Sequence, residues 1–533
     1  MKRRDFLQKT IPAATLLPAL INGYSVKAFA ADSPLVQALM QSTTDTDHVL
    51  VIIQLSGGND GMNTVIPIST YSNYYNARTN VAIPQNRILA LGNSGAGIHP
   101  SMAGMHTLHN NGMMKVIQAV GYPQPNFSHF RATDIWMTGS NSNQEVFTGW
   151  AGRYLNYEYP NFPIGYPNTA TPDPLAIQIG STTTLTTQGP AVNMSMSITN
   201  PTSFYNLLNG TTDPVPNTPA GKELKYVRLV SQQTQKYSSV IRNAANAVTQ
   251  QATYPTGNSL ADQLKIVARL IKGGLKTRVY MVSTGGYDTH SVQVNAADTT
   301  TGAHATLLQR LSDATKAFQD DLIFLGVQDR VIGMTYSEFG RRIKSNSSVG
   351  TDHGAAAPMF LFGSKIEAGV LGNNPTIPTN ASVNDNIPMQ YDFRSIYATI
   401  LEKWFCIDKT VVAGLYPPNI NAQLQSLPLF KSSITCNAVT PPPPDPTFDS
   451  IITNSPNPFT ESTVIKFRTE GGHTLIQIID TLGRVIKTLL ERDYLTAATD
   501  TITFNSGGLP TGIYYARFQN GVMQKVRPML KVR

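Results

Sequence analysis

The chain has 533 residues, a formal net charge of +8 and a sequence pI near 9.2. The positive charge sits at the two ends: residues 1–30 hold five Lys or Arg against one acid, residues 447–533 hold ten against seven, and the long middle is close to neutral. The middle has no basic cluster interleaved with aromatics, which excludes a nucleic-acid binder's footprint, and no stretch approaches the roughly 18 consecutive apolar residues of a permanent membrane helix.

Lys2, Arg3 and Arg4 precede an apolar run from Ile11 to Ile21 that stops at the small-x-small site Ala28-Phe29-Ala30. The pattern predicts a signal peptide over residues 1–30. Arg3-Arg4-Asp5-Phe6-Leu7 also resembles a twin-arginine signal, which implies a cargo folded before it leaves the cytoplasm; an ordinary Sec signal with a basic start is the alternative.

Residues 31–438 then alternate apolar, β-branched runs with helical periodicity. His48 to Leu55 runs into Ser56-Gly57-Gly58-Asn59-Asp60-Gly61, and Lys115 to Val120 into Gly121-Tyr122-Pro123. Arg278 to Thr284 runs into Gly285-Gly286-Tyr287-Asp288-Thr289-His290, and Arg330 to Tyr336 into Ser337-Glu338-Phe339-Gly340-Arg341. Leu260 to Ile271, Ala305 to Phe324 and Ser395 to Phe405 repeat apolar residues at three- and four-residue spacing, as helices packed on a sheet do. The expected fold is α/β, a doubly wound and mostly parallel sheet with helices on both faces. Ligands of such sheets bind outside the carboxyl ends of the strands.

Those carboxyl ends collect the metal-capable side chains. Asp60, Asp288, His290 and Glu338 each follow an expected strand, and Asp352 and His353 lie in a turn leading into Pro358 to Phe362. Carboxylate and imidazole donors suit a divalent ion (zinc, manganese, magnesium or calcium) able to activate water or polarise an ester oxygen. Ser128, just before an expected helix, is a candidate nucleophile. Each has an ordinary alternative: Asp60 and Ser128 as caps or turn formers, His129 as a packing or hydrogen-bonding residue, Glu338 as a partner of Arg341 or Arg342. His99, His106 and His109 read as core or surface residues of a helix. No Walker lysine follows either glycine pair, and no Gly-x-Ser-x-Gly elbow occurs, so phosphate-loop and serine-hydrolase readings are weak.

Cys406 and Cys436 are the only cysteines, and in an exported chain a disulfide is the expected use of such a pair. It would lie just before Thr440-Pro441-Pro442-Pro443-Pro444-Asp445-Pro446, whose prolines favour an extended linker over residues 439–447. Beyond it, in residues 448–533, Ser462 to Thr469, Thr474 to Ile479, Thr501 to Phe504 and Ile513 to Phe518 alternate apolar with polar, predicting a small all-β sandwich.

Two family resemblances are carried by these residues. Ser455-Pro456-Asn457-Pro458-Phe459, Asp480-Thr481-Leu482-Gly483-Arg484-Val485 and Gly512-Ile513-Tyr514-Tyr515-Ala516-Arg517-Phe518 resemble the type A sorting domain of type IX secretion. That implies export to the cell surface or the exterior, with the type IX machinery as partner. Ser56-Gly57-Gly58-Asn59-Asp60-Gly61, Ser128-His129-Phe130, Gly286-Tyr287-Asp288-Thr289-His290, Ser337-Glu338-Phe339-Gly340-Arg341-Arg342 and Thr351-Asp352-His353-Gly354 resemble the bacterial domain of unknown function family 1501. That family is similar in fold pattern to the alkaline phosphatase and sulfatase superfamily, and the similarity implies metal-dependent hydrolysis of phosphate or sulfate esters, with an anionic ester or glycan as substrate.

Carried over residue by residue, the resemblance makes Asp60 the first metal-binding aspartate and Ser128 the nucleophile, with Asp288 and His290 holding the hydrolytic metal. Either Asp352-His353 fills the superfamily's Asp-His-Gly turn, or Glu338 does, with Phe339 in place of a lost histidine and His353 as the final ligand. The second alignment fits the strand order better. The missing histidine keeps open a degenerate, surface-displayed binding protein of the same fold.

Overall fold

The fold comes from a computed structural model that describes residues 46–201, 237–436 and 452–532, apart from a few positions within those spans, together with strand pieces at 19–21 and 24–26. Most of the expected signal peptide, and all of the linker at 439–447, lie outside the described residues.

A nine-stranded sheet forms the centre of the larger part. Its first strand is β1 (Val49–Leu55), followed in the chain by β2 (Met114–Gly121), β3 (Ala176–Ile179), β4 (Ser195–Ile198), β5 (Val279–Thr284) and β6 (Val331–Tyr336). A hairpin of β7 (Gly340–Ser345) and β8 (Thr351–Gly354) stands apart, and β9 (Ala357–Phe362), β10 (Gly369–Leu371) and β11 (Tyr391–Asp392) complete the sheet. The spatial order is β10-β2-β9-β6-β1-β5-β3-β4, with β11 also on β2. All neighbours are parallel except β9, which runs antiparallel to both β2 and β6.

Residues of β1 alternate between two cores. Val49, Val51, Ile53 and Leu55 face one layer with α4 (Ser259–Lys272), α5 (Ala303–Phe324) and the earlier α1 (Ala103–Asn110). Leu50 and Ile52 face the other, with α2 (His129–Thr138), α3 (Trp150–Glu158) and α6 (Phe393–Thr399). A strand buried on both faces needs an apolar residue at every position, which is why β1 reads as a continuous run. Each such side chain contributes on the order of 1.5–3 kcal/mol through burial. The helix expected to end at Phe405 widens after Thr399 into a π-helical turn, Ile400–Trp404. Cys406 and Cys436 are joined in a disulfide.

The C-terminal module has two antiparallel sheets over one shared core of Ile465, Phe467, Ile476, Ile478, Phe504 and Phe518. Three of its strands, Ile452–Ser455, Val485–Tyr494 and Met523–Lys531, are additional to the four expected. Val485–Tyr494 is an edge strand with no fully buried residue, so it carries no alternation to detect.

Candidate metal and anion site

β1, β5 and β6 are adjacent and parallel, with Thr284 opposite Leu55 and Tyr336 opposite Gln54. The loops after these strands therefore meet at one end of the sheet, and Gly57, Asp288 and Glu338 become neighbours although they are far apart in sequence. The β7–β8 hairpin pairs Arg341 with His353 and adds both to the same place.

The closeness of these loops depends on Gly57. Its φ is +125°, and a Cβ there would lie 2.3 Å from the Asp288 nitrogen. Its amide donates to Glu338 Oε1 at 2.8 Å, and its carbonyl accepts from the Arg341 guanidinium. Arg341 is fully buried and also donates to the carbonyls of Gly58 (2.6 Å), Thr351 (2.7 Å) and Tyr287 (3.0 Å), and to Asp288 Oδ1 (2.8 Å). It pairs with Asp288 and not with Glu338. Its role was not legible in the sequence.

Around Asp288 three imidazoles converge. His290 Nε2 is 3.1 Å from Asp288 Oδ1, His353 Nε2 is 3.3 Å from the same oxygen, and the two nitrogens are 2.8 Å apart. His129 Nε2 approaches the other oxygen, Oδ2, at 3.5 Å. The ligand atoms of His129, Asp288 and His353 all lie within 4.8 Å of one another. His129 was expected to serve packing or hydrogen bonding, and its place at the start of α2 gives no local signal that it faces this cluster.

The second nitrogen of each ring is held by an acceptor. His290 Nδ1 faces Asp352 Oδ1 at 3.2 Å, His353 Nδ1 the Phe127 carbonyl at 2.8 Å, and His129 Nδ1 Glu338 Oε1 at 2.8 Å. Both nitrogens of each ring thus face acceptors, Nδ1 these oxygens and Nε2 those of Asp288; with a cation between the Nε2 atoms and Asp288, Nδ1 would carry the proton and Nε2 would present its lone pair. Burial lowers the His353 pKa against its bond to Phe127, and Arg341 adds to the lowering. Burial acts to raise the Asp288 carboxyl, yet the hydrogen bond and charge of Arg341, with His353 and His290, hold it below the ordinary value. Asp352 is likewise lowered despite burial, by Asn346 and His290.

Not every candidate joins the cluster. Asp60 is fully buried, with both carboxylate oxygens 2.7 Å from Arg78 Nη1 and Oδ2 also accepting from Gln293 at 2.6 Å. Its oxygens are already used by a structural pair, which corrects its expected roles as metal ligand and catalytic residue. Asp352 stands behind His290 and Glu338 behind His129, each as a carboxylate beside the Nδ1 of an imidazole. Phe339 packs its ring 4.4 Å from that of His353 and 4.8 Å from that of His129. His99 is buried, whereas His106 and His109 are hydrogen-bonded near the surface.

An open cleft of about 450 Å³ adjoins the cluster, and His129, Asp288 and Glu338 form part of its wall. Ser128 is the N-cap of α2 without a side-chain cap hydrogen bond, and it is exposed. The first intrahelical bond runs from Ala132 N–H to the Ser128 carbonyl, leaving the amides of His129, Phe130 and Arg131 with no acceptor within the helix. Uncapped amides at a helix start favour an anion.

The family model described as "Protein of unknown function (DUF1501)" matches residues 97–415, the span that carries α2, Asp288, His290, Glu338 and His353. The chain belongs to this family. The Ser56-to-Asp60 segment precedes the matched span. Residues 455–531 match the model described as "Secretion system C-terminal sorting domain". This DUF1501 member therefore carries the tail of type IX secretion, which directs it to the cell surface or the extracellular space. No helix among the described residues is long and apolar enough to cross a membrane.

No curated protein matches the sequence. Among solved structures, the chain is similar to the PsFucS1 sulfatase from Pseudoalteromonas sp., at 11% identity and a TM-score of 0.31, over 89% of this chain and 87% of that one. It is also similar to a protein described with the metabolism of multiple glycosaminoglycans by Bacteroides thetaiotaomicron, at 11% identity and a TM-score of 0.32, over 83% and 89%. Superpositions this loose say nothing about the chemistry of the site.

Proposed function

We propose that this exported DUF1501 protein is a metal-dependent hydrolase of phosphate or sulfate esters, with a divalent ion held by Asp288, His290 and His353 and with His129 as a further donor. One observation carries this reading: three Nε2 atoms gather around one carboxylate while every Nδ1 lies within reach of another oxygen acceptor. Two bare lone pairs 2.8 Å apart repel each other unless a proton or a cation is shared between them. Mixed imidazole and carboxylate donors suit zinc or manganese better than magnesium or calcium, which prefer oxygen.

When bound, such an ion supplies Lewis acidity to an ester oxygen and lowers the pKa of water. The chain's own groups do the rest. The uncapped start of α2 receives the anionic group, Ser128 offers an exposed hydroxyl as nucleophile, and Glu338 fixes the ring of His129. Arg341 holds Asp288 in place, and its contacts with four carbonyls and one carboxylate keep it from the substrate.

A second reading, a non-catalytic surface binding protein, is favoured by two particulars. Phe339 fills space beside the imidazoles with a ring that cannot bind metal, and Arg341 already occupies one oxygen of Asp288.

Metal analysis of the exported chain, purified without chelator or affinity metal, separates the two. At least one zinc or manganese per chain is expected, lost from an Asp288→Ala, His353→Ala variant, together with turnover of p-nitrophenyl phosphate or sulfate. Metal without turnover of any ester supports the binding protein, and no metal in either form rules out the metal centre. Asp352→Ala removes the acceptor shared by His290 and Asn346 and is expected to weaken metal affinity about 10–100-fold in chelator competition.

A further inference from the structure

The cleft beside the metal cluster has a second wall that the hydrolytic chemistry does not use. Phe130, the residue after His129, is the most exposed aromatic among the described residues, at 87%. It lines the cleft with Thr133 and Asp134, three and four residues further along α2 and so on the same helix face. Gln54 and Ser56, at the end of β1, line it as well. The side chains of Gln54, Ser56, Thr133 and Asp134 make no hydrogen bond to any described residue. A lone exposed phenylalanine on a surface means little. One that shares a cleft with four polar side chains of open hydrogen-bonding capacity is a different matter.

We infer that this wall is a subsite for a sugar ring, so that the substrate is a glycan or monosaccharide bearing the anionic ester. The inference rests on the hydrolase reading for the ester but not for the ring. A pyranose has an apolar C–H face, which covers an aromatic ring, and an edge of hydroxyls, which donate to a carboxylate and exchange hydrogen bonds with amide and hydroxyl groups. Phe130 supplies the first surface, and Asp134 with Thr133, Gln54 and Ser56 the second. A simple alkyl ester would leave both unused, and the Asp134 carboxylate disfavours a polyanion such as an oligonucleotide. Because Phe130 directly follows His129, a ring seated on it would lie beside the metal cluster, within reach of an ester group carried on the same sugar.

The test is binding, so that it does not depend on turnover. Saturation-transfer NMR of the full exported chain would use glucose 6-sulfate, glucose 6-phosphate and ethyl sulfate as probes. The sugar esters are expected to bind at least 10-fold more tightly than ethyl sulfate, with saturation strongest on ring C–H protons. Phe130→Ala and Asp134→Asn should each reduce sugar-ester affinity at least 5-fold, and by a larger factor than any loss of ethyl sulfate affinity. Since Phe130 is exposed, its loss should leave the thermal midpoint in place, so weaker binding cannot be ascribed to unfolding. Equal affinity for sugar and ethyl esters, or sugar binding unaltered by both variants, would overturn the subsite. Sugar binding in a protein that holds no metal and cleaves no ester would instead overturn the hydrolase reading and leave the subsite standing.

Discussion

Arg78→Met is expected to destabilise the protein by about 3–5 kcal/mol, the usual cost of stripping one partner from a buried ion pair. Asp60 and Arg78 are both fully buried. The guanidinium also donates to the carbonyls of Ile343 and Arg342, so the substitution bares a carboxylate and two backbone acceptors at once. The pair ties the loop after β1 to β7, the strand that carries Arg341, and its loss should therefore disturb the His–Asp cluster as well. The double variant Asp60→Asn, Arg78→Met removes both charges of this pair and should recover part of the loss.

The pH dependence separates a lost ion pair from a general packing defect. Burial acts to raise the Asp60 carboxyl, but the charge and hydrogen bond of Arg78 bring it below its ordinary value of 3.8. A depressed folded-state pKa contributes stability that is present above the unfolded value and is lost as pH falls through the folded one. Wild type should therefore weaken below about pH 4 through this group. In Arg78→Met, only Gln293 and His304 still oppose burial, the carboxyl rises, and acid should restore part of the lost stability. Urea denaturation midpoints at pH 7 and pH 4.5 measure this, and a variant deficit of equal size at both pH values would sink the explanation.

Under the proposed function, Gly57→Ala should cost the His–Asp cluster its ion without removing any of the proposed ligands. The added methyl would lie 2.3 Å from the Asp288 nitrogen and 2.7–2.9 Å from the Tyr287 backbone, at a φ of +125° that side chains rarely adopt. Backbone cannot swing aside as a side-chain end does, so the loop bearing Asp288 and His290 must move away from that bearing Gly57. Strain and lost contacts of this kind cost on the order of 1–3 kcal/mol. A displacement approaching 1 Å is enough to spoil bonds of roughly 2 Å. Metal content is expected to fall well below that of wild type. Gly285→Ala is the control: a Cβ there meets nothing within 4 Å and its φ is not positive, so stability should change by no more than about 0.5 kcal/mol. Full metal occupancy in Gly57→Ala would mean that the two loops are less closely fitted than their backbones indicate.

The central strands and long helices were legible because burial on both faces of β1, β5 and β6 demands continuous apolar runs, and because α4 and α5 need one apolar stripe. The antiparallel direction of β9 was not legible, since strand direction depends on connections and leaves no mark on side-chain pattern. Local sequence showed metal-capable side chains at Asp288, His290 and His353 and placed the first two after a strand; His353, expected in a turn, lies instead in β8, and the sorting tail with its motif set was readable from residues alone. Only the tertiary structure decided which of the candidate groups point the same way. It withdrew Asp60 by supplying Arg78 from another element, placed Asp352 and Glu338 behind imidazoles, and brought in His129 and Arg341. The physical reason is that a carboxylate's role is set by what reaches its oxygens first, and those partners come from residues distant in the chain.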